Sequence, residues 1–373
     1  PDVRLDYVPL RGPELLAAIG AYDALIVRSG TAVDDALIEA GARLKIIGRA
    51  GVAADNINVA AATARGIMVM TTPEPVSVSA AEHTLALLLA LCRHIPAAEA
   101  SLRRGEWRRG LFLGAQLQGQ TLGLIGLGRV GRRVAERARA FGLTVLAYDP
   151  YVDEAAARAV EATLVTLEEL LARSDIVSVH AAPDSAPQPL LGAEELRRMK
   201  MGARLVNTAR GALVDEAALI EALTEGRLAG AALDVFAAEP PGRSPLLDLP
   251  NVVVTPHLGA STVEAQREVA VQIAGQVLEA LRGHNFRNVI NLPFIAGPDF
   301  RLARPYLELA EKLGRLQAQL ADGPVTRVEV EVKGEAVAGL VRPIAVALLT
   351  GLLRPTLGAR VNYVNAPALA AER

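Results

Sequence analysis

The sequence predicts an α/β fold with two doubly wound parallel-sheet domains and a small α+β domain at its C-terminal end. Three observations support this: apolar runs that alternate with helical stretches, a glycine-rich turn within that alternation, and a change of character after Pro293. Continuous Val, Ile and Leu runs separated by helices are typical of parallel sheets buried on both faces. The predicted strands are Ala24–Val27, Lys45–Ile47, Thr121–Ile125, Thr144–Tyr148, Ile176–Val179, Leu205–Asn207, Leu233–Phe236 and Val252–Thr255.

Two longer helices are predicted at Ser77–Arg93 and Thr262–Leu281, with no strand immediately beside either of them. They flank the stretch that contains the glycine-rich turn. We therefore predict a nucleotide-binding domain of residues 94–267, inserted into a substrate-binding domain formed by residues 1–93 and 268–295.

Residues 296–373 are predicted to form a separate small module. Arg301–Leu320 has a helical pattern, and Val328, Val330 and Val332 alternate with charged residues, as in a half-exposed antiparallel strand. Pro367 is suited to the first position of a further helix. The chain does not begin with Met, and we expect both ends, and this module, to be incomplete.

The composition excludes several functional classes. The net charge of −2 and pI near 6.3 do not favour nucleic-acid binding, which needs an excess of Lys and Arg. A single cysteine, Cys92, excludes an intrachain disulfide and a Cys-based zinc site, and we expect no metal. The longest strongly apolar run, Thr84–Cys92, is less than half of a bilayer span, so we expect a cytoplasmic protein without a membrane segment.

The strongest motif is a G-x-G-x-x-G turn that follows a predicted strand and opens a predicted helix. Gly126 permits a tight turn, Gly128 lets the backbone approach a pyrophosphate, and Gly131 lets helix and strand pack closely. The helix N-terminus supplies N–H groups for phosphate, and Asp149, which ends the next strand, suits the adenosine ribose of NAD better than NADP. The alternative is a structural glycine turn, which this context disfavours.

Three residues at predicted strand ends suit hydride-transfer chemistry. His257 can take a hydroxyl proton, Glu239 can hold the imidazole tautomer, and Arg210 can grip a substrate carboxylate with two hydrogen bonds. Each alone has a plainer explanation: a structural histidine, a solvated loop acid and a surface ion pair. Arg28 and Arg49 also end strands and suit a small anionic substrate, whereas Arg103, Arg104, Arg108 and Arg109 beside Trp107 are by default solvated charges.

These residues lie in motifs that resemble the D-3-phosphoglycerate dehydrogenases, a group of D-isomer-specific 2-hydroxyacid dehydrogenases. The resemblance covers about Ala24 to Pro293, and the module after it resembles the intervening domain of the long bacterial form. The matching motifs are Gly48-Arg49-Ala50-Gly51, Asp55-Asn56-Ile57, Ser79-Ala80-Ala81-Glu82-His83-Thr84, Gly126–Gly131, Ala209-Arg210-Gly211, Ala231–Phe236, Pro256–Thr262 and Val361–Ala366.

The resemblance implies a split substrate-binding domain, an inserted Rossmann domain, and the NAD-dependent oxidation of D-3-phosphoglycerate to 3-phosphohydroxypyruvate in serine biosynthesis. It implies at least a homodimer, with Arg109 of a neighbouring subunit joining Arg28 and Arg49 at the substrate phosphate. The residues it places at NAD are Gly126, Gly128, Arg129, Val130, Gly131, Asp149, His180, Ala181, Thr208, Ala209, Arg210, Asp234, His257, Gly259 and Ala260, and those at the substrate include Val52, Ala53 and Arg210.

The substrate loops depart from the family pattern. Gly51-Val52-Ala53-Ala54-Asp55-Asn56 replaces Gly-Thr-Gly-Val-Asp-Asn, and Pro75-Val76 replaces a pair ending in Asn. Ala181-Ala182-Pro183 stands for Thr-Pro-Leu, and Pro187-Gln188-Pro189 replaces a threonine-bearing turn. Each lost donor or added methyl can cost about 1–3 kcal/mol. Two alternatives therefore stay open: a reductase for glyoxylate or hydroxypyruvate, and a non-catalytic NAD-sensing protein on the same fold.

Overall fold

A computed structural model describes residues 3–7, 10, 12–182, 188–293, 300–321, 323, 325–358 and 360–372. Contacts between Cα atoms divide the chain into two compact units. Unit 1 comprises Pro1–Pro73 and Gln266–Arg373, and unit 2 comprises Glu74–Ala265. The three-domain division predicted from the sequence stays a prediction.

The N-terminal part of unit 1 is a three-stranded parallel sheet in the order β1-β2-β3. Its elements are α1 (Pro13–Ala18), β1 (Ala24–Val27), α2 (Asp35–Ala40), β2 (Ile46–Arg49), α3 (Val59–Ala64) and β3 (Met68–Met70). Ile47 and Val69 pack on one face of the sheet with Ile38 of α2, whereas Ile46 and Met70 pack on the other. Burial of both faces explains why these strands are apolar throughout.

Unit 2 contains a seven-stranded parallel sheet in the order β10-β9-β8-β7-β4-β5-β6. Between β3 and β4 lie α4 (Pro73–Cys92) and α5 (Ile95–Arg103). The remaining elements are β4 (Thr121–Ile125), α6 (Arg129–Ala140), β5 (Thr144–Tyr148), α7 (Glu154–Arg158), β6 (Thr163–Leu164), α8 (Leu167–Arg173), β7 (Ile176–Val179), α9 (Ala193–Arg198), β8 (Ala203–Asn207), α10 (Glu216–Thr224), β9 (Leu228–Leu233) and β10 (Val252–Val254).

The sheet of unit 2 is covered on both faces, as a doubly wound fold requires. Leu122 and Leu124 of β4 pack with Leu88 of α4, while Ile125 packs on the opposite face with Leu170 and Leu219. The chain runs outward from β4 in both directions, through β5 on one side and β7 on the other. Ligands bind beyond the carboxyl ends of strands at such a reversal, which places the site next to the end of β4.

One predicted strand is misplaced. The strand expected at Leu233–Phe236 lies at Leu228–Leu233 as β9. The hydrophobic pattern did not predict this strand because it consists largely of Gly and Ala. Close packing explains why the residues are small. A Cβ on Gly230 would lie 2.5 Å from the oxygen of Asn251 and 2.9 Å from Leu91 of α4.

The C-terminal part of unit 1 contains α11 (Val263–Leu281, which begins in unit 2), α12 (Phe300–Leu320), α13 (Val341–Leu357) and α14 (Ala366–Ala371). α12 and α13 pack at two glycines, because a Cβ on Gly314 would overlap the backbone of Leu348 and one on Gly351 that of Glu311. Pro367 lies in the first turn of α14, as predicted.

The strand predicted at Val328, Val330 and Val332 is wrong. Residues 325–333 form neither helix nor strand, and Val325 and Val328 are exposed. Alternating apolar and charged residues stabilise a strand only when a neighbouring strand pairs with its backbone, and no strand pairing is found here among the described residues.

Two helical stretches of the described chain are long and apolar enough to cross a membrane. They are α4, with mean hydropathy 1.5, and residues Val337–Leu357, with mean hydropathy 1.6. α4 is mostly buried, and Leu85, Leu88 and Leu91 pack into the core of unit 2. Its length exceeds the Thr84–Cys92 run because the helix begins at Pro73.

Candidate active site

The glycine turn joins β4 to α6 in a conformation that requires glycine. Gly126 has φ 97°, and a Cβ there would lie 2.6 Å from the backbone nitrogen of Ala181. A Cβ on Gly131 would overlap the carbonyl oxygen of Gly126. These two residues therefore allow β4, the start of α6 and the end of β7 to approach one another closely.

The start of α6 has the features that a dinucleotide pyrophosphate requires. Gly128 is the N-cap residue and provides no side-chain cap for the helix, so the first N–H groups keep their capacity to bind an anion. A Cβ on Gly128 would meet no protein atom within 4 Å, which leaves open space in front of the helix. Arg129 and Val130, also predicted at NAD, form the first turn of α6.

Asp149 follows β5 and contacts the glycine turn directly. Its Oδ2 accepts a hydrogen bond of 2.8 Å from the backbone N–H of Leu127, and its Oδ1 accepts one of 2.9 Å from Tyr151. A carboxylate has about four acceptor positions, so both oxygens retain capacity for ribose hydroxyls. The residues present thus fit the adenosine half of NAD.

His180 lies at the end of β7 against the same turn. Burial lowers its pKa to about 4, so the imidazole is neutral at neutral pH. Its Nε2 lies 2.9 Å from the hydroxyl of Ser178, and its backbone N–H donates to Ile125 at 2.7 Å. Ala181 and Ala182 follow it, whereas Pro183 and Pro187 lie outside the described residues.

His257 and Glu239 form a hydrogen-bonded pair beyond the ends of β9 and β10. His257 Nδ1 lies 2.7 Å from Glu239 Oε2, and Glu239 Oε1 accepts from the N–H of Phe236 at 3.3 Å. Because an ionised carboxylate only accepts, Nδ1 carries the proton and Nε2 of the neutral ring keeps its lone pair. The imidazole is 46% exposed, so Nε2 can reach a small molecule in solution.

The backbone at His257 is strained. Its φ of 54° is in the left-handed region, which is uncommon for a residue with a side chain. The N–H of His257 donates to the carbonyl of Asp234 at 2.9 Å, which fixes this conformation. Strained backbone held by surrounding contacts is frequent at functional sites and supports a functional role here.

Arg210 is held beside the loop that carries Glu239. Buried Asn207 donates to the carbonyl of Arg210 at 2.9 Å and accepts from Ala209 at 3.1 Å. A Cβ on Gly211 would overlap the backbone of Phe236, so the Arg210–Gly211 turn packs directly on that loop. Thr208, in the same turn, hydrogen-bonds with Thr84 at 2.7 Å.

Asp234 is buried and organises the histidine loop. Its Oδ1 accepts from the hydroxyl of Thr255 at 2.6 Å and from the N–H of Leu258 at 2.7 Å, and its Oδ2 accepts from Gly259 at 2.8 Å. Burial alone would raise its pKa, but hydrogen bonds from His83, Thr255, Leu258 and Gly259 outweigh burial and hold the pKa below its usual value. Ala260 completes the loop.

The predicted phosphate-binding residues of unit 1 lie at the ends of β1 and β2. Arg28 hydrogen-bonds with Gln266 of α11, and Arg49 donates to the carbonyl of Ala50 at 2.9 Å. A Cβ on Gly51 would overlap the Arg49 guanidinium, so the arginine can adopt this position only over glycine. Val52 is 42% exposed, and Ala53 is half-buried.

The remaining residues predicted near the substrate are Arg109 and the Pro75-Val76 pair, which lie in two different elements. Arg109 begins a short 3₁₀ turn, Arg109–Phe112, and is exposed. Pro75 and Val76 form part of the first turns of α4.

Sequence reasoning missed three residues that position the site. Thr255 and His83 contact Asp234, and Glu216 of α10 accepts from the N–H of Ala237 at 2.6 Å in the Glu239 loop. His83 lies in the Ser79–Thr84 motif and Thr255 ends a predicted strand, but nothing in their spacing indicates that they meet.

Comparison with protein families and known structures agrees with this geometry. Residues 85–259 match the profile of the D-isomer-specific 2-hydroxyacid dehydrogenase NAD-binding domain, and residues 302–373 match that of the D-3-phosphoglycerate dehydrogenase intervening domain. The TT0316 protein from Thermus thermophilus is 39% identical with a TM-score of 0.69, covering 75% of this chain and 90% of its own. Aquifex aeolicus D-lactate dehydrogenase, complexed with NAD and lactic acid, is 29% identical with a TM-score of 0.66, covering 72% and 86%.

The chain belongs to the D-isomer-specific 2-hydroxyacid dehydrogenase family, and its curated relatives include D-3-phosphoglycerate dehydrogenases. The enzyme of Methanocaldococcus jannaschii is 47% identical over 361 residues, which is 96% of this chain and 69% of the relative. That of Bacillus subtilis is 44% identical over 352 residues, which is 94% and 67%. The chain thus spans about two thirds of these relatives' length.

Proposed function

We propose that this chain oxidises D-3-phosphoglycerate to 3-phosphohydroxypyruvate with NAD⁺ in serine biosynthesis, which the curated relatives named D-3-phosphoglycerate dehydrogenase support. The observation that carries the proposal is the His257–Glu239 pair, 2.7 Å apart, which lies beyond the ends of β9 and β10 in the sheet that also carries the glycine turn. We also propose a cytoplasmic location, because a chain with a single cysteine does not depend on an intrachain disulfide.

His257 acts as the general base. Its Nε2 takes the proton of the C2 hydroxyl, and Glu239 stabilises the positive charge that forms on the ring. NAD⁺, held by the glycine turn and Asp149, would supply the hydride acceptor for C2. In the reverse direction the imidazolium returns its proton to the carbonyl oxygen as the hydroxyl re-forms.

Arg210 holds the substrate carboxylate. A guanidinium binds a carboxylate with two parallel hydrogen bonds, which fixes the orientation of C2 as well as its distance from the base. Asn207 and Gly211 set the backbone position from which Arg210 extends.

Arg28 and Arg49 bind the substrate phosphate, with Arg109 contributed by a second subunit. Both unit 1 arginines end parallel strands, where ligands of α/β sheets bind. Support for an oligomer comes from unit 2, in which Trp107, Leu111 and Leu113 are 78%, 67% and 88% exposed beside Arg109. Exposed apolar clusters of this kind mark protein–protein contacts.

The test is consumption of NADH, followed by absorbance, with 3-phosphohydroxypyruvate, hydroxypyruvate and glyoxylate. We expect selective turnover of the phosphorylated acid, and Arg49→Gln should lower kcat/KM for it roughly 10–100-fold while hydroxypyruvate changes little. Exposed Arg43→Gln, which pairs with Asp23, is the matched control. Turnover of only the small acids would move the specificity to the glyoxylate or hydroxypyruvate reductase type.

A further inference from the structure

A histidine on α4 contacts the histidine loop through a buried carboxylate. His83 Nε2 lies 2.9 Å from the hydroxyl oxygen of Thr255 and 3.2 Å from Asp234 Oδ1. The His83 side chain is 20% exposed and that of Asp234 only 1%. His83 of α4 therefore contacts the same carboxylate that accepts the N–H groups of residues 258 and 259.

The hydrogen-bond pattern assigns the proton on His83. Asp234 only accepts, and the Thr255 hydroxyl gives its proton to Asp234 Oδ1 at 2.6 Å. Neither neighbour therefore has a proton to give to His83, so Nε2 must carry one and donate it. His83 closes a chain in which every donor has an acceptor, an arrangement that rigidifies buried polar sites.

This chain of hydrogen bonds bears on the backbone at the His257 base. Asp234 accepts the N–H of His257 on its carbonyl at 2.9 Å and those of Leu258 and Gly259 on its carboxylate. His257 adopts its positive φ between these bonds. A rotation of the Asp234 carboxylate would release the N–H groups of Leu258 and Gly259, the two residues that directly follow His257.

We propose that His83 is a positioning residue for the His257 base: by donating from Nε2 to Thr255 and Asp234, it fixes the Asp234 carboxylate and with it residues 258 and 259, which directly follow His257. This inference rests on the proposed function, since it refines the geometry of the same base. His83 touches neither substrate nor cofactor in this role.

The test compares His83→Leu, which lacks the donor, with His83→Gln, whose amide nitrogen can replace Nε2. We expect His83→Leu to lower kcat about tenfold with NADH affinity within about twofold, and His83→Gln to recover most of the loss. Glu82→Leu is the matched control, because Glu82 is the adjacent exposed residue of α4 and pairs with Arg137. If His83→Leu does not fold, His83→Asn replaces it, since its shorter amide lacks the reach of Nε2.

Amide hydrogen exchange at Leu258 and Gly259 gives a second result that needs no turnover. Exchange should become roughly tenfold faster in His83→Leu, return toward the wild-type rate in His83→Gln and stay unchanged in Glu82→Leu. A wild type without turnover would refute the proposed function, while the exchange rates would still decide the role of His83. The role of His83 would be overturned by a wild-type exchange rate in His83→Leu. It would also be overturned by equal changes of exchange rate and kcat in His83→Leu and His83→Gln.

Discussion

At the scale of single residues, side-chain type and position at strand ends were enough to predict that His257 and Glu239 lie together. His257 and Glu239 meet at 2.7 Å, although 18 residues separate them in the sequence. The supporting contacts were not predictable, because they depend on side-chain positions that only tertiary packing sets. The expected contact of Asp234 with NAD stays a prediction, and the hydrogen bonds that its carboxylate accepts from Thr255, Leu258 and Gly259 were not foreseen.

Replacing Asp149 with Ala should weaken NAD binding and relax the rejection of NADP. The change removes acceptors for the ribose and also the bond to the N–H of Leu127 that braces the glycine turn. Asp149→Asn keeps an acceptor but loses the charge, so it should relax NADP rejection with a smaller loss of NAD affinity. Dissociation constants for both cofactors check this, and unchanged selectivity in both variants would remove Asp149 from the ribose site.

Replacing Glu239 with Gln should lower kcat roughly 10–100-fold. A neutral amide can still accept from Nδ1 but does not stabilise the positive charge that develops on His257. Exposed Glu225→Gln, just after α10, serves as the control and should leave kcat unchanged. Steady-state kinetics with both variants provide the measurement, and a Glu239→Gln enzyme of normal kcat contradicts the role.

At the scale of elements, apolar strands and long helices were predictable, whereas small-residue and edge elements were not. The position of β9 was predicted wrongly because the strand consists largely of Gly and Ala. Gly230 is required there because Leu91 and Asn251 pack against it. The strand expected around Val330 failed for the opposite reason, since alternation without a pairing neighbour gives no stable strand. The glycine turn was predictable because only glycine fits these positions. Gly126 has a positive φ, and a Cβ on either Gly126 or Gly131 would overlap backbone atoms.

The buried imidazole of His180, at the end of β7, should make the free energy of unfolding depend on pH. His180 has a pKa of about 4 in the fold, below the ordinary value of 6.5 for an unfolded chain. Above pH 6.5 both states are neutral there; as pH falls from 6.5 toward 4, only the unfolded state takes up the proton, so stability is lost.

Urea unfolding at pH 7.5 and 4.5 tests this expectation. The free energy of unfolding should fall by about 1–3 kcal/mol more for the wild type than for His180→Asn. His284→Asn, a change at an exposed histidine, should behave as the wild type does. Equal losses in all three proteins would show that burial of His180 does not govern this pH dependence.

At the scale of the whole molecule, the fold and the family followed from ordered motifs along the chain, but specificity did not. The altered loop Gly51–Asn56 lies next to Arg49, and sequence alone does not tell whether Val52 and Ala53 still admit the substrate carboxylate. The backbone around them keeps its anchor, since the N–H of Gly51 donates to Thr72 at 2.8 Å. The family match and the His257–Glu239 pair support an active dehydrogenase over a protein that only binds NAD.

The central claim is that the chain is a dehydrogenase whose base is His257. The measurement is NADH consumption with 3-phosphohydroxypyruvate by the wild type and by His257→Ala, with NADH binding measured on both. We expect turnover by the wild type, a loss of roughly 10²–10⁴ in kcat in the variant, and nearly equal NADH affinity. NADH binding without turnover by the wild type, or normal turnover by His257→Ala, would contradict the account.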